Sequence, residues 1–401
     1  MRLLHLLVIG IVLATHASAA GSTWATSLRP AFEAAVALTS EIQALEARKE
    51  EQFARRKATT AALPSGPSAT LSARSDAPFK DFGFREYEGE LAFPLWLPGE
   101  RSAALGSAET AIVRLEAEIA FRRLDVARRV RDAYWMVVEQ RERQQLADRR
   151  RSQTKALADD VRIQSTAGQS SPLDVILAIA DLQDADGVLV TRNAELEQAL
   201  IQFRALTGEQ PPNSYGEQHS KLKFPTRHPR LILRQSAVAK AGSDLDVALA
   251  ADRDRPEVGV GVRTSRADST QPYDTSLGVR LRIPFAYEAL NAPKRAAASA
   301  EVRSAEFELA AAERETKSEL AAAFARLAGA RKLLTASDAR STSLTAAFTI
   351  VQELRRVGQT PLAELIRART QMFEAANART LARVGVERAR SDVNQALGLE
   401  P

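Results

Sequence analysis

The segment Gly168-Gln169-Ser170-Ser171-Pro172-Leu173 returns later in the chain as Gly358-Gln359-Thr360-Pro361-Leu362. In both copies a glycine, which readily ends a helix, precedes a proline, which readily begins one. Two other landmarks return at the same spacing of 190 residues, Pro94 as Pro284 and Gly208 as Gly398. Solenoid repeats have periods of about 20 to 50 residues, so this longer period predicts that a unit of several helices and strands was duplicated.

The residues that flank these turns are typical of long helices. Residues 101–166 contain no proline and one early glycine, and residues 294–357 are their counterpart. At a rise of 1.5 Å per residue, each would form a helix about 100 Å long. Because each turn is short, the return helices, 172–207 and 361–397, should fold back along the long ones.

Apolar residues in these segments recur at steps of three, four and seven, which is the pattern of a coiled-coil seam. The residues in this pattern are Ile112, Leu115, Ile119, Val126, Val130, Ala133 and Val137; Leu320, Phe324, Leu327 and Leu334; Val175, Leu182, Leu189, Leu196 and Phe203; and Leu365, Met372, Val386 and Val393. Arg379 interrupts the last series. The long helices must therefore have helical neighbours.

Strand-like alternation precedes each long helix. Two β-hairpins are predicted, at 68–96 and 256–286, each after a shorter helix, at 28–63 and 229–254. In the second hairpin, valines and leucines alternate with glycines and arginines, which predicts one apolar and one polar face. The first strand of the first hairpin is faint, since only Ala69, Leu71 and Ala73 alternate there.

The first 19 residues have the layout of a secretory signal, with Arg2, an apolar run from Leu3 to Ala14 and a small-residue site at 17–19. A membrane anchor is the alternative, but the run is shorter than the roughly 20 residues of a bilayer-crossing helix. The chain has no cysteine, so we expect neither disulfides nor a lipid attached through cysteine. The predicted organisation is a signal peptide at 1–19, repeats at 20–208 and 229–401, and a connector at 209–228.

Beyond the signal, no apolar stretch is long enough for a membrane-spanning helix, so the chain would enter a membrane only as strands. Four strands have two open edges, which hydrocarbon does not tolerate, and closed barrels begin at eight strands. Several chains would therefore share one barrel, two giving eight strands and three giving twelve. Aromatic residues near the hairpins fit girdles at the two membrane interfaces: Phe82, Phe84, Tyr87, Phe93, Trp96, Tyr273, Phe285 and Tyr287. The alternative is a soluble hairpin that packs on the helices.

Composition excludes several functions. Aromatic residues make up 5% of the chain and charged residues 26%, as in long packed helices. The arginine clusters at 128–131 and 149–151 alternate with acids and indicate solvated helix faces, so no nucleic acid is expected. No catalytic constellation stands out, and His219 and His228 are too few for a recognisable metal site, so we expect no enzymatic activity, cofactor or resident metal.

The repeated element order, the Pro-Leu/Phe end of the second strand, the tight turns and the closing Leu206-Thr207-Gly208 and Ala396-Leu397-Gly398 resemble the TolC-type outer-membrane efflux proteins. Residues 94–101 and 362–369 look most similar to the CzcC-like heavy-metal branch. The start of the family's short helix appears as His228-Pro229-Arg230-Leu231 but only as Arg29-Pro30-Ala31-Phe32 in the first copy.

The resemblance implies a mostly α-helical homotrimer with a small β part: duplicated long helical hairpins form a tunnel below a twelve-stranded transmembrane β-barrel set in outer-membrane lipid of a Gram-negative bacterium. It also implies two partners, a periplasmic adaptor and an inner-membrane transporter of the resistance-nodulation-division type. The connector would lie at the equator of the tunnel. The predicted function is a passive exit duct of a tripartite efflux system, with heavy-metal cations as one candidate class of cargo. The alternative is a soluble periplasmic coiled-coil adaptor or scaffold.

Both turns would lie at the far tip of the tunnel. The resemblance implies adaptor docking at Gly168, Gln169, Ser170, Arg355, Arg356, Gly358 and Gln359. It also implies that Glu364, with Asp174 at the same offset in the first copy, lines a constricted periplasmic entrance, where Arg367 replaces a further acid. The alternatives are a plain helix connection and an acid that favours a helix N-terminus.

Overall fold

The computed structural model describes residues 28–79, 81–213, 217 and 227–401. The predicted signal peptide and most of the connector, with His219, lie outside the described residues. The elements are α1 (Arg29–Leu38), α2 (Ser40–Thr59), β1 (Ser68–Ser75), β2 (Arg85–Pro94), α3 (Glu100–Thr166), α4 (Pro172–Thr207), α5 (Pro229–Ala250), β3 (Glu257–Arg266), β4 (Asp274–Arg282), α6 (Glu288–Arg356) and α7 (Leu362–Ala396). The prediction of a mostly helical chain with four strands is confirmed.

The sequence predicted one helix at 28–63. This prediction is wrong, because the chain forms two helices that meet at Thr39. Thr39 has an extended backbone, and its hydroxyl donates a hydrogen bond to the carbonyl of Ala35 at 2.7 Å. Hydroxyl side chains compete in this way with the helical hydrogen-bond ladder. The break lets α1 cross α3 and α4 while α2 runs along α3.

Three other helix bounds differ from the prediction by four residues or more. Helix α2 ends at Thr59 and α5 at Ala250, each four residues early. Helix α6 begins at Glu288 and runs through Pro293, although the prediction began it after that proline. Pro293 lies in the second turn, where its missing N–H removes a single backbone hydrogen bond.

Two long helical hairpins form the body of the molecule. Helix α3 packs against α4, α6 packs against α7, and α3 also contacts α7, so the hairpins lie side by side. The largest buried cluster lies where α1 crosses the first hairpin and includes Phe32, Val130, Tyr134 and Phe203. Leu320, Leu327, Val386 and Val393 form the matching core of the second hairpin.

The predicted seams are largely buried, with two exceptions. Phe324 is exposed while the neighbouring Ala323 is fully buried. Arg379, which interrupts the seam of α7, turns outward and pairs its Nε with Asp338 on α6 at 2.5 Å. The interruption is therefore occupied by an ion pair between the two helices of the second hairpin.

The four strands form one antiparallel sheet in the order β1-β2-β3-β4. The central pairing of β2 with β3 joins the hairpin of the first half to the hairpin of the second, with Leu91 opposite Val260. The described loop residues 76–79, 81–84 and 267–273 lie at one end of the sheet, and the long helices leave from the other. Of the helices in the described ranges, none has an apolar stretch long enough to cross a membrane.

Candidate functional site

The two turns between long and return helices are built alike. Gly168 and Gly358 both have positive φ, of 72° and 77°, a conformation that glycine adopts without steric cost. The residue after each glycine donates its backbone N–H back to the ending helix, Gln169 to Gln164 at 2.8 Å and Gln359 to Leu354 at 2.9 Å. This pattern satisfies carbonyl groups that the helix end would leave without partners.

The first acid joins the two turns. Asp174 is the third residue of α4, where the Ser171 hydroxyl accepts a hydrogen bond from its backbone N–H at 3.1 Å. Its carboxylate accepts a hydrogen bond from Nη2 of Arg355 at the end of α6, at 3.2 Å. Arg355 also donates to the carbonyl of Thr360 in its own turn at 3.3 Å. The structure thus brings a predicted entrance acid together with a predicted docking residue, both half-buried.

The second acid is held differently. Glu364 is the third residue of α7, and its carboxylate pairs with Nη1 of Arg367 one turn on, at 3.2 Å. Both side chains are exposed to solvent. Among the other residues predicted for docking, Arg356 pairs with Glu353 at 2.8 Å and the Ser170 hydroxyl lies 3.3 Å from Oε1 of Gln164. Gly168, Gln169, Arg356, Gly358 and Gln359 are exposed.

A buried ion pair between the hairpins lies further from the tip, and the sequence reasoning missed it. Arg369 on α7 donates hydrogen bonds to the carboxylate of Asp181 on α4 and to the carbonyl of Gln153 on α3. Burial lowers the pKa of Arg369, while Asp181 acts in the opposite direction. Arg150 on α3 also reaches Asp181, at 3.4 Å, and Asp184, at 2.7 Å. Arg369 follows Leu362 and Leu365 at helical spacing on a buried stripe, a signal that could have identified it.

The sheet has two chemically distinct faces. Cross-strand register sets the side chains of opposed residues on the same face. One face is apolar and carries Leu71, Leu91, Phe93, Val258, Val260, Val262, Leu277, Val279 and Leu281. Most of these side chains are exposed, and Leu71, Leu277 and Val279 are exposed by about three quarters or more. The apolar face is therefore not covered by the helices of this chain.

The opposite face is charged, and its ions are paired. Three acids alternate along β2, Glu86, Glu88 and Glu90. Arg74 on β1 and Arg263 on β3 bind Glu86, while Arg280 on β4 binds Glu90 at 2.9 Å and Glu88 at 3.3 Å. Glu257 and Arg282 pair at the helix end, and Asp274 stands at the loop end.

The aromatic residues predicted at membrane interfaces lie near the two ends of the sheet. Phe82, Phe84, Tyr87 and Tyr273 lie towards the loop end, and Phe93, Trp96, Phe285 and Tyr287 towards the helix end. Tyr87 and Phe93 are six residues apart on β2, which corresponds to about 20 Å along a strand. Trp96 also donates its indole N–H to the carbonyl of Ala61 at 3.2 Å and lies under the guanidinium of Arg255.

A charged cavity of about 600 Å³ lies midway along the helices, between α3, α5, α6 and α7. Buried His228 lines it and begins α5, with its Nδ1 accepting the backbone N–H of Arg230 at 3.1 Å. Burial lowers the pKa of His228 and raises the pKa of Asp392, which also lines the cavity. Within the described part of the chain, no three His, Asp or Glu side chains lie close enough to hold a metal ion.

Comparison with known sequences gives one partial match. No family model matches the chain. The cobalt-zinc-cadmium resistance protein CzcC of Cupriavidus metallidurans is 28% identical over 182 residues. The match covers 45% of this chain and 43% of CzcC, so the chain aligns with less than half the length of that curated relative.

Solved structures match over nearly the whole chain. CusC, whose crystal structures describe transmembrane channel formation, superposes with a TM-score of 0.74 at 15% identity, covering 93% of this chain and 92% of CusC. The outer-membrane protein VceC of Vibrio cholerae gives 0.73 at 13% identity, covering 92% and 96%. The open MtrE outer-membrane channel of Neisseria gonorrhoeae gives 0.71 at 16% identity, covering 93% and 89%.

The chain therefore has the fold of outer-membrane channels. The resemblance to TolC-type proteins is confirmed in the fold, and the CzcC match agrees with the CzcC-like branch. CusC and MtrE are described as channels, which agrees with the expectation of no enzymatic activity from the sequence.

Proposed function

We propose that this protein is the outer-membrane exit duct of a tripartite efflux system in a Gram-negative bacterium. Cargo would pass from an inner-membrane transporter of the resistance-nodulation-division type, through a periplasmic adaptor, into the helical tunnel and out through the barrel. The chain itself would conduct passively, with the energy for transport supplied by the partners.

The observation that carries this proposal is the two-faced sheet at the end of two helical hairpins about 100 Å long. An exposed apolar face opposite a charged face is the pattern of a barrel wall, with lipid outside and water inside. Aromatic residues near both ends of the sheet fit the two membrane interfaces.

One chain does not close such a barrel. Strands β1 and β4 are the edges of the sheet, and an open edge in hydrocarbon leaves backbone groups without hydrogen-bond partners. Three copies would supply twelve strands and a closed wall. The same arrangement would place three copies of each turn around the periplasmic end, with Glu364 at the entrance and the glycine turns available to an adaptor.

The partial match to CzcC supports divalent metal cations as the cargo. A conduit needs only weak interactions with its cargo, so that the cargo can leave. Deletion of the gene should sensitise cells to cobalt, zinc or cadmium more than to dyes and detergents. Greater sensitivity to dyes and detergents would overturn the metal assignment while leaving the channel itself intact.

The channel is tested by fractionation and by planar-bilayer recordings of the purified protein. We expect recovery in the outer-membrane fraction, a stable trimer in detergent, and discrete conductance steps. Recovery in the soluble periplasm as a monomer without pore activity would instead favour the alternative, a coiled-coil adaptor or scaffold. The exposed apolar face of the sheet argues against that alternative.

A further inference from the structure

The charged face of the sheet is layered. A band of this face that runs from near the loop end to the middle of β2 contains three acids, Glu86, Glu88 and Glu90, whose side chains are 2%, 31% and 13% exposed. The three arginines that bind them, Arg74, Arg263 and Arg280, are 70%, 55% and 63% exposed. The formal charges cancel, but the carboxylates lie against the sheet and the guanidinium groups stand above them.

Glycines on the same face make this layering possible. Gly259 and Gly261 on β3 lie beside Glu90, and Gly278 on β4 lies opposite Gly261. A Cβ at Gly259 would overlap the carboxylate of Glu90, and a Cβ at Gly261 would crowd its Cβ and the carbonyl of Gly89. Without side chains in this trough, Glu90 lies flat across β3 and Arg280 reaches over it from β4.

We propose that the arginine layer, Arg74, Arg263 and Arg280, is a selectivity determinant of the pore that favours small anions over cations. This inference rests on the proposed function, because it requires the charged face to line a water-filled lumen. A permeating ion meets the outer layer of charge first, and the acids beneath are already neutralised at contact distance. Interactions between charges within about 10 Å persist at about 0.1 M salt, so an exposed guanidinium layer acts on ions in the lumen.

The consequence concerns cargo as well as salt. A bare divalent cation would be disfavoured in this band, whereas a cation accompanied by chloride or carboxylate ligands would pass. The predicted periplasmic entrance differs from this band, because there Glu364 is itself exposed beside Arg367 rather than buried beneath it.

The test is the reversal potential of single channels in a KCl gradient whose dilute side is about 0.1 M. We compare the wild type with the double variant Arg263→Gln/Arg280→Gln, which removes two exposed positive charges per chain. The permeability ratio of chloride to potassium should fall by about twofold or more, as expected when charges within one Debye length of the ion are removed. The entrance is the same in both proteins, so its contribution cancels in the comparison.

Two matched variants separate charge from disturbance of the wall. Glu90→Gln removes a carboxylate of the same band and should shift the ratio towards chloride, opposite in sign to the double variant. Arg280→Lys keeps the charge and should retain the wild-type ratio. This inference alone would be overturned by either of two results. The permeability ratio of chloride to potassium could be unchanged in the double variant, or Glu90→Gln could shift the ratio in the same direction as the double variant. Absence of any pore from the wild type would overturn the proposed function and this inference with it.

Discussion

The two turns at the tip share a glycine with positive φ and an acid at the third position of the return helix, but the two acids have different surroundings. Asp174 is half-buried and reaches across to Arg355 of the other hairpin, whereas Glu364 is exposed and pairs within its own helix. Corresponding positions in the two halves thus differ: Asp174 joins the two hairpins, and Glu364 faces solvent. In a channel, the first role would hold the entrance together and the second would set its charge.

The buried pair of Asp181 and Arg369 should be the strongest polar connection between the hairpins. In Asp181→Leu, Arg369 stays buried without a carboxylate, because its remaining described partner is the carbonyl of Gln153. Removing one partner of a buried pair costs about 3–5 kcal/mol. We expect a loss of this size in the free energy of unfolding, measured by circular dichroism in denaturant with the protein in detergent.

The reverse variant removes the arginine instead of the acid, and its effect should differ because Asp181 also contacts a second cation, Arg150. In Arg369→Met, Arg150 remains 3.4 Å from Asp181, so the loss should be smaller than in Asp181→Leu. The double variant Asp181→Leu/Arg369→Met should recover much of the stability, since apolar residues often replace buried ion pairs without net loss. Equal losses in the two single variants would show that Arg150 does not compensate.

The pair of Asp174 and Arg355 should have a smaller effect on stability and a visible effect on conductance. As a partly exposed pair it contributes about 1 kcal/mol or less. Asp174→Asn and Arg355→Gln should each raise the single-channel conductance in planar bilayers by loosening the join. If the two residues act through one contact, their effects should not add in the double variant.

Glu364 provides the contrast to this pair. Glu364→Gln should also raise conductance, but by removing charge at the entrance, and its effect should add to that of Arg355→Gln. Arg367→Ala, which breaks the pair within α7 and leaves the carboxylate, is the control. Additive effects of Asp174→Asn and Arg355→Gln would show that the two residues do not act through one contact. Unchanged conductance in Glu364→Gln would place the constriction elsewhere.

The helices and the contrast between the sheet faces were largely predictable. Alternation along β3 and β4 predicted both faces, and the turn glycines predicted where the long helices end. The alternation of acids along β2 is also present in the sequence, but no role was predicted for these acids from it. Strand β1 is faint because its apolar face carries Ala69, Leu71 and Ala73, of which only Leu71 is a large apolar residue.

The contacts between the hairpins were not predictable from the sequence. Asp181 and Arg369 are 188 residues apart, and their pairing depends on which helices lie side by side. The same holds for Asp174 and Arg355, which are 181 residues apart. Periodicity reports which face of a helix is buried, but it does not report which helix covers that face.

The smallest expected effect comes from a second difference between the two halves, at the start of the short helix. His228 caps α5 through Nδ1, whereas Leu28 precedes α1 without a side-chain cap. Burial, together with nearby Arg230, lowers the pKa of His228 below its ordinary value, and Glu319 opposes this shift. The neutral form is therefore favoured in the folded state. Its stabilisation is complete above the unfolded pKa of about 6.5 and is lost as pH falls through the folded pKa.

Protonation of Nδ1 also removes the acceptor of the cap, which is worth about 1 kcal/mol. Lowering the pH from about 7.5 to about 5 should therefore reduce the free energy of unfolding by about 1 kcal/mol more in the wild type than in His228→Asn. Asparagine caps helices well and does not titrate. Other groups that titrate in this range contribute equally to both proteins and cancel in the difference. Parallel pH profiles for the two proteins would mean that the pKa of His228 is the same in the folded and the unfolded chain. The asymmetry between the two helix starts would then have no pH-dependent energetic consequence.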